Sequence, residues 1–203
     1  MEVFIQIILL HLFAVASPGP DFILVARQSL RYGTKNAIWS SLGIAIGILF
    51  HVLFAMLGIN ILLAYQESFF LILKIIAASY LGYLGFRSLL IQSSAMNFDT
   101  VITGNTYVYK SFVAGFLTNI SNPKAFLFFI TVFAVIGNQL NFNFKLLSGL
   151  YMALATFFWF SLMAYIISVS KKINTVSNFF PFLERITGLI LVIISIQILF
   201  ISL

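Results

Sequence analysis

Asp21 and Lys124 are ionisable residues set deep in apolar stretches, each immediately after a proline, in Ser17-Pro18-Gly19-Pro20-Asp21 and in Ser121-Asn122-Pro123-Lys124. A charge near the centre of a bilayer costs about 2.5 to 3.5 kcal/mol on insertion scales, so two opposite charges in matching contexts mark a polar site. A carboxylate can receive an ammonium group. An ammonium, helped by the partial positive charge of a helix N-terminus, can receive a carboxylate. A zwitterion presents both groups, and Asp21 could in addition bind and release a proton. A second reading needs no ligand: Asp21 complements the start of its own helix, and Lys124 neutralises it as a packing pair.

Other residues could join this chemistry. Gly43, Gly47 and His51 recur at four-residue spacing, which puts them on one face of a helix. The glycines read as helix-packing positions. His51 reads either as a proton relay with Asp21 or as an interhelical hydrogen-bonder. His11 has no comparable context and reads as structural. Asn119 and Asn122 either line the second proline break or serve helix-end chemistry. Phe126, Phe128 and Phe129 read as lipid-facing or packing residues.

The elements that must hold these residues follow from composition. Of 203 residues, 62% are hydrophobic and 8% charged, with mean hydropathy +1.10, whereas soluble domains carry roughly 25% charged residues. This is the composition of an integral membrane protein. The 11 basic residues are dispersed between apolar runs and form no stripe suited to nucleic acid. With no cysteine, a disulfide framework, a thiolate metal centre and a dithiol redox centre are excluded. No cofactor is expected. A membrane-embedded hydrolase is disfavoured too, since no nucleophile, base and metal-ligand set occurs at workable spacing.

Six stretches approach the roughly 20 apolar residues that cross about 30 Å of hydrocarbon. They run from Val3 to Leu30, Ala37 to Leu63, Phe69 to Leu90, Ser111 to Ile136, Leu146 to Val169 and Ile186 to Ser202. Arg31 to Lys35, Gln66 to Ser68, Gly137 to Gln139 and Lys171-Lys172 mark the connections. The longest polar segment, 92–110, joins a first half, 1–91, to a second, 111–203, within one membrane domain. Ala14-Val15-Ala16 resembles a signal-peptide cleavage site, but Glu2 precedes it and apolar character resumes to Leu30, as expected of a span. Arg27, Arg31, Lys35, Arg87, Lys110, Lys171, Lys172 and Arg185 fall on one side of an alternating threading. The positive-inside rule makes that side cytoplasmic and places both termini outside.

A shift of 103 residues lays Pro20-Asp21 onto Pro123-Lys124 and the second and third spans onto the fifth and sixth. Three spans per half is an odd number, so the halves are expected as inverted repeats. Proline removes a helical hydrogen bond and clashes with the preceding turn, so the first and fourth helices should break in mid-membrane. Backbone groups freed there must face protein or a water-filled cavity. The expected fold is all-α, with six transmembrane helices in two inverted repeats.

Four motifs together resemble the LysE/RhtB amino-acid exporters of bacteria: Ser17-Pro18-Gly19-Pro20-Asp21, Gly43-x3-Gly47-x3-His51, Tyr80-Leu81-Gly82-Tyr83-Leu84-Gly85 and Asn122-Pro123-Lys124-Ala125. They cover both halves in the expected order, while the fifth and sixth spans match only in length and hydropathy. The resemblance implies an inner-membrane secondary transporter, not an enzyme, that exports amino acids or close derivatives and is driven by proton motive force. Carried over by position, the site centres on Pro18, Gly19, Pro20, Asp21, Asn122, Pro123 and Lys124. Its partners are then a small-molecule substrate, protons and membrane lipid. The glycine face of the second span could serve a homo-oligomer contact as well as an internal one. Two alternatives remain open at this stage: a metal-ion or other small-cation exporter, and a membrane structural or assembly protein that transports nothing. A related group that performs transmembrane thiol-disulfide transfer is eliminated by the lack of cysteine.

Overall fold

A computed structural model of the chain describes residues 2–17, 19–63, 67–90, 106–133, 140–170, 185–186, 188–193, 195–197 and 199–200. Pro18, most of the 92–110 connection and the Gly137-Asn138-Gln139 and Lys171-Lys172 turns lie outside these residues. All described elements are helical: α1 (Glu2–Ala16), α2 (Pro20–Tyr32), α3 (Thr34–Leu63), α4 (Glu67–Leu89), α5 (Val108–Ile120), α6 (Pro123–Thr131) and α7 (Phe142–Ser170). A shorter apolar helix, α8 (Gly188–Gln197), follows. Thr34–Gly58 of α3 and Phe142–Val169 of α7 are each long and apolar enough to cross a membrane unaided. A third candidate span is the pair α1 and α2, bent by 52° at its break.

Both interruptions come from prolines at the first position of the following helix. Pro20 has no N–H to give the carbonyl of Ala16, and Pro123 none to give that of Asn119. The chain therefore stops helical bonding and restarts with proline at a position where a missing donor costs nothing. Gly19 and Asn122 occupy the equivalent caps, both with extended backbone. Their carbonyls accept from Ile23 and Phe126, each at 3.0 Å.

The centre of the bundle is α3, which packs on α2, α4, α5, α6 and α7. Its tightest approach is to α5, because glycines leave backbone facing backbone. A Cβ on Gly43 would collide with the Phe112 carbonyl, and one on Gly115 with the Ser40 carbonyl. Buried hydroxyls reinforce this end of the bundle: Ser40 donates to the Ser111 carbonyl at 3.0 Å, Ser111 to Gln28 at 3.1 Å, and Ser29 to the Ala164 carbonyl at 2.7 Å. Asn36 closes it further by donating to the Thr106 carbonyl at 3.2 Å. Around that end Arg31, Lys35 and Lys110 are exposed, with Trp39, Tyr107 and Tyr109 among them. Leu53, Leu57, Leu150, Leu154, Phe158 and Leu162 point outward along α3 and α7. That is the arrangement of a helix bundle solvated by hydrocarbon.

Candidate functional site

The two helix interruptions lie against each other and are cross-linked by side chains. Asp21, in the first turn of α2, accepts at Oδ2 from Asn119 Nδ2 at 2.9 Å and from Asn122 Nδ2 at 3.2 Å. In the other direction, Lys124 of α6 donates from Nζ to the Ser17 carbonyl at the end of α1, at 3.1 Å. That carbonyl stands where the helix dipole is negative, which suits an ammonium. The Lys124 side chain runs over Gly19, where a Cβ would lie 3.8 Å from its Cδ and 3.9 Å from its Nζ. Asp21 Oδ1 is buried and has no hydrogen-bond partner among the described residues.

Asn122 does more than line the break. Its Oδ1 accepts from the Lys124 backbone N–H at 3.0 Å, so one carboxamide caps α6 and binds Asp21. Both sequence readings of this residue hold at once. Asn119, 1% exposed, sits over Gly47. A Cβ on Gly47 would fall 2.6 Å from Asn119 Oδ1, so the bare glycine makes room for the amide that reaches Asp21. His51, 3% exposed, is 3.0 Å from the Asn119 carbonyl through Nε2. A carbonyl can only accept, so Nε2 carries the hydrogen. This is the carbonyl that Pro123 cannot serve. The ring also stacks on Phe129, with centroids 5.9 Å apart.

Asp21, Lys124, Gly19, Asn119 and Asn122 all line one cavity of about 470 Å³, including its open mouth. The cavity extends from the breaks between α1, α6 and α7, away from the serine-lined end of the bundle, and Phe128, Phe129 and Phe160 form apolar walls. Pro20 and Pro123 shape the breaks but do not line it. Gly43 faces α5 at the closed end instead. Sequence reasoning missed three contributors. His11, read as structural, lines the cavity and pairs through Nε2 with Thr156 Oγ1 at 3.1 Å. Thr156 itself carried no motif. The Ser17 carbonyl, a backbone group, has no signal in residue type. Phe128 and Phe129 are buried packing residues, as one of their two readings had it, and also cavity walls.

Comparison with known proteins places the chain in a family. The family model described as LysE type translocator matches residues 12–202. The uncharacterized membrane protein YrhP of Bacillus subtilis is 34% identical over 190 residues, covering 88% of this chain and 89% of that protein. An uncharacterized membrane protein of Haemophilus influenzae is 27% identical over 190 residues, 92% of this chain and 90% of that protein. The threonine efflux protein of Salmonella typhimurium is 27% identical over 177 residues, 84% of each chain. No solved structure matches.

Proposed function

Because the chain belongs to the LysE type translocator family, we propose that it exports amino acids from the cytoplasm as a secondary transporter coupled to proton motive force. The observation that carries this reading is that Asp21 and Lys124, from two interrupted helices, line the same cavity. Oδ1 of Asp21 is left for the substrate ammonium. Lys124 Nζ, with the first-turn backbone of α6, takes the carboxylate. The N–H of Lys124 is already held by Asn122, so the amide of Ala125, whose residue lines the cavity, is the helix donor that remains. Gly19 keeps the floor between the charges bare. The curated relative named a threonine efflux protein directs the substrate class toward threonine-sized amino acids.

In this reading the six apolar stretches form two inverted halves, 1–91 and 111–203, that rock around the paired breaks. Gly85 and Gly188 support that symmetry, since the 103-residue shift superposes them and a Cβ on either would lie 2.7 Å from the other's carbonyl. The exposed Arg31, Lys35 and Lys110 support a reading in which their end of the bundle faces the cytoplasm across the bacterial inner membrane, with both termini on the far side. Proton exchange at Asp21 couples the gradient to efflux. His51 acts chiefly as a donor to the Asn119 carbonyl, because the nitrogen facing that carbonyl already bears a hydrogen.

Efflux of radiolabelled amino acids from loaded vesicles tests the proposal. Losing one charge-assisted contact is worth about 1.5 to 3 kcal/mol, so Asp21→Asn and Lys124→Ala should each slow efflux about tenfold or more. Asp21→Asn should also uncouple the residual flux from an imposed pH gradient. Parental rates in both variants would remove the site.

A further inference from the structure

We infer that His11 and Thr156 form the subsite that reads the side chain of the exported amino acid, and that it is built for a neutral side chain carrying a hydroxyl. The inference rests on the transport reading above and adds to it the residues that choose among substrates.

His11 of α1 and Thr156 of α7 come from different halves, both line the cavity, and are buried and hydrogen-bonded to each other at 3.1 Å. Ile48, Phe128, Phe129 and Phe160 supply apolar wall to the same cavity. Apart from Asp21 and Lys124, no described lining residue carries a carboxylate, ammonium or guanidinium group. The backbone of an amino acid would engage both charges. A lysine or glutamate side chain would then enter an apolar chamber with nothing to neutralise it, a strongly unfavourable burial.

The polar pair itself is incompletely satisfied. His11 is 2% exposed, and its Nδ1 is buried without a hydrogen-bond partner among the described residues. Buried polar groups in folded proteins are seldom left that way. If Nε2 bears the hydrogen, Nδ1 is an orphan acceptor; if Thr156 donates to Nε2, Nδ1 is an orphan donor. A substrate hydroxyl donates and accepts, so it satisfies either tautomer. A methyl group satisfies neither. The ring is enclosed by Phe128, Phe129 and Tyr151, with centroids 6.1 to 6.4 Å away, which leaves it little freedom to turn toward another partner.

Threonine and valine differ in shape by almost nothing and in chemistry by that one hydroxyl, so their efflux from proteoliposomes containing the full chain measures the subsite directly. A single neutral hydrogen bond predicts a threonine KM about tenfold below that for valine in the parent protein, with lysine not carried. Thr156→Val should bring the two KM values together, and helix content by circular dichroism equal to the parent's certifies its folding. Thr156→Ser should keep the preference, and His11→Phe should lose it. A parent that moves amino acids without preferring threonine to valine, or that moves lysine as well as threonine, overturns the subsite and leaves the transport reading standing. A ratio unchanged in both Thr156→Val and His11→Phe does the same. A parent that moves none of the three overturns both.

Discussion

Asn122 holds the N-terminus of α6 with its oxygen and the Asp21 carboxylate with its nitrogen. The two roles separate by substitution. Asn122→Asp keeps a capping oxygen but puts a second carboxylate beside Asp21, so unfolding in detergent should stay near the parental temperature while efflux falls sharply. Asn122→Ala removes the cap as well and should cost about 1 kcal/mol of stability. Equal loss of stability in both variants would mean the Asp21 contact matters more to folding than to transport. Asp21 and Lys124 were legible in the sequence because an ionisable residue behind a proline is conspicuous among leucines and phenylalanines. His11 and Thr156 were not. Each is an ordinary buried residue alone, and 145 positions separate them, so only the fold reveals that one completes the other.

At the scale of elements, the apolar stretches located the helices, and the structure extends several of them past the apolar boundary. The stretch beginning at Ala37 becomes a helix from Thr34, and that beginning at Leu146 becomes one from Phe142. Adding a residue to an existing helix gains a hydrogen bond for each residue fixed, so polar flanking residues are taken up readily. The prolines made the breaks legible too. The consequence of four-residue glycine spacing was less so, because sequence does not say whether a glycine faces a side chain, a backbone or open space. Gly43 and Gly115 face backbone carbonyls, whereas nothing lies within 4 Å of a Cβ on Gly58. Gly43→Ala and Gly115→Ala should therefore each cost about 1 to 3 kcal/mol through forced separation of α3 and α5. Gly58→Ala should be neutral or stabilise the helix by up to about 1 kcal/mol. Thermal unfolding of the purified protein in detergent orders the three, and a Gly58 variant as damaged as the others would contradict it.

For the whole molecule, the two sides of the site are unequal. Toward the basic end, glycines and buried serines bring α2, α3, α5 and α7 into close contact, while on the other side the cavity stays open between α1, α6 and α7. Under the 103-residue shift, Gly43 and Gly47 of α3 fall on Leu146 and Leu150 of α7, so the second half lacks the bare face that permits such contact. The parent has no cysteine, so single replacements report cleanly. Ala14→Cys and Ala125→Cys, in the cavity wall, should react with a membrane-impermeant thiol reagent added on the side away from Arg31 and Lys35. Ser111→Cys, at the closed end, should be protected from either side; rapid labelling there would mean the serine-lined end stands open. One contact escapes this inequality, the mutual approach of Gly85 and Gly188. A contact that maps onto itself can be made by two separate copies of one unit as readily as by two segments of one polypeptide. Under the proposed inverted-repeat reading, duplication and fusion of an ancestral three-helix gene would leave it unaltered, while positions away from the axis would be free to specialise into an inward and an outward door.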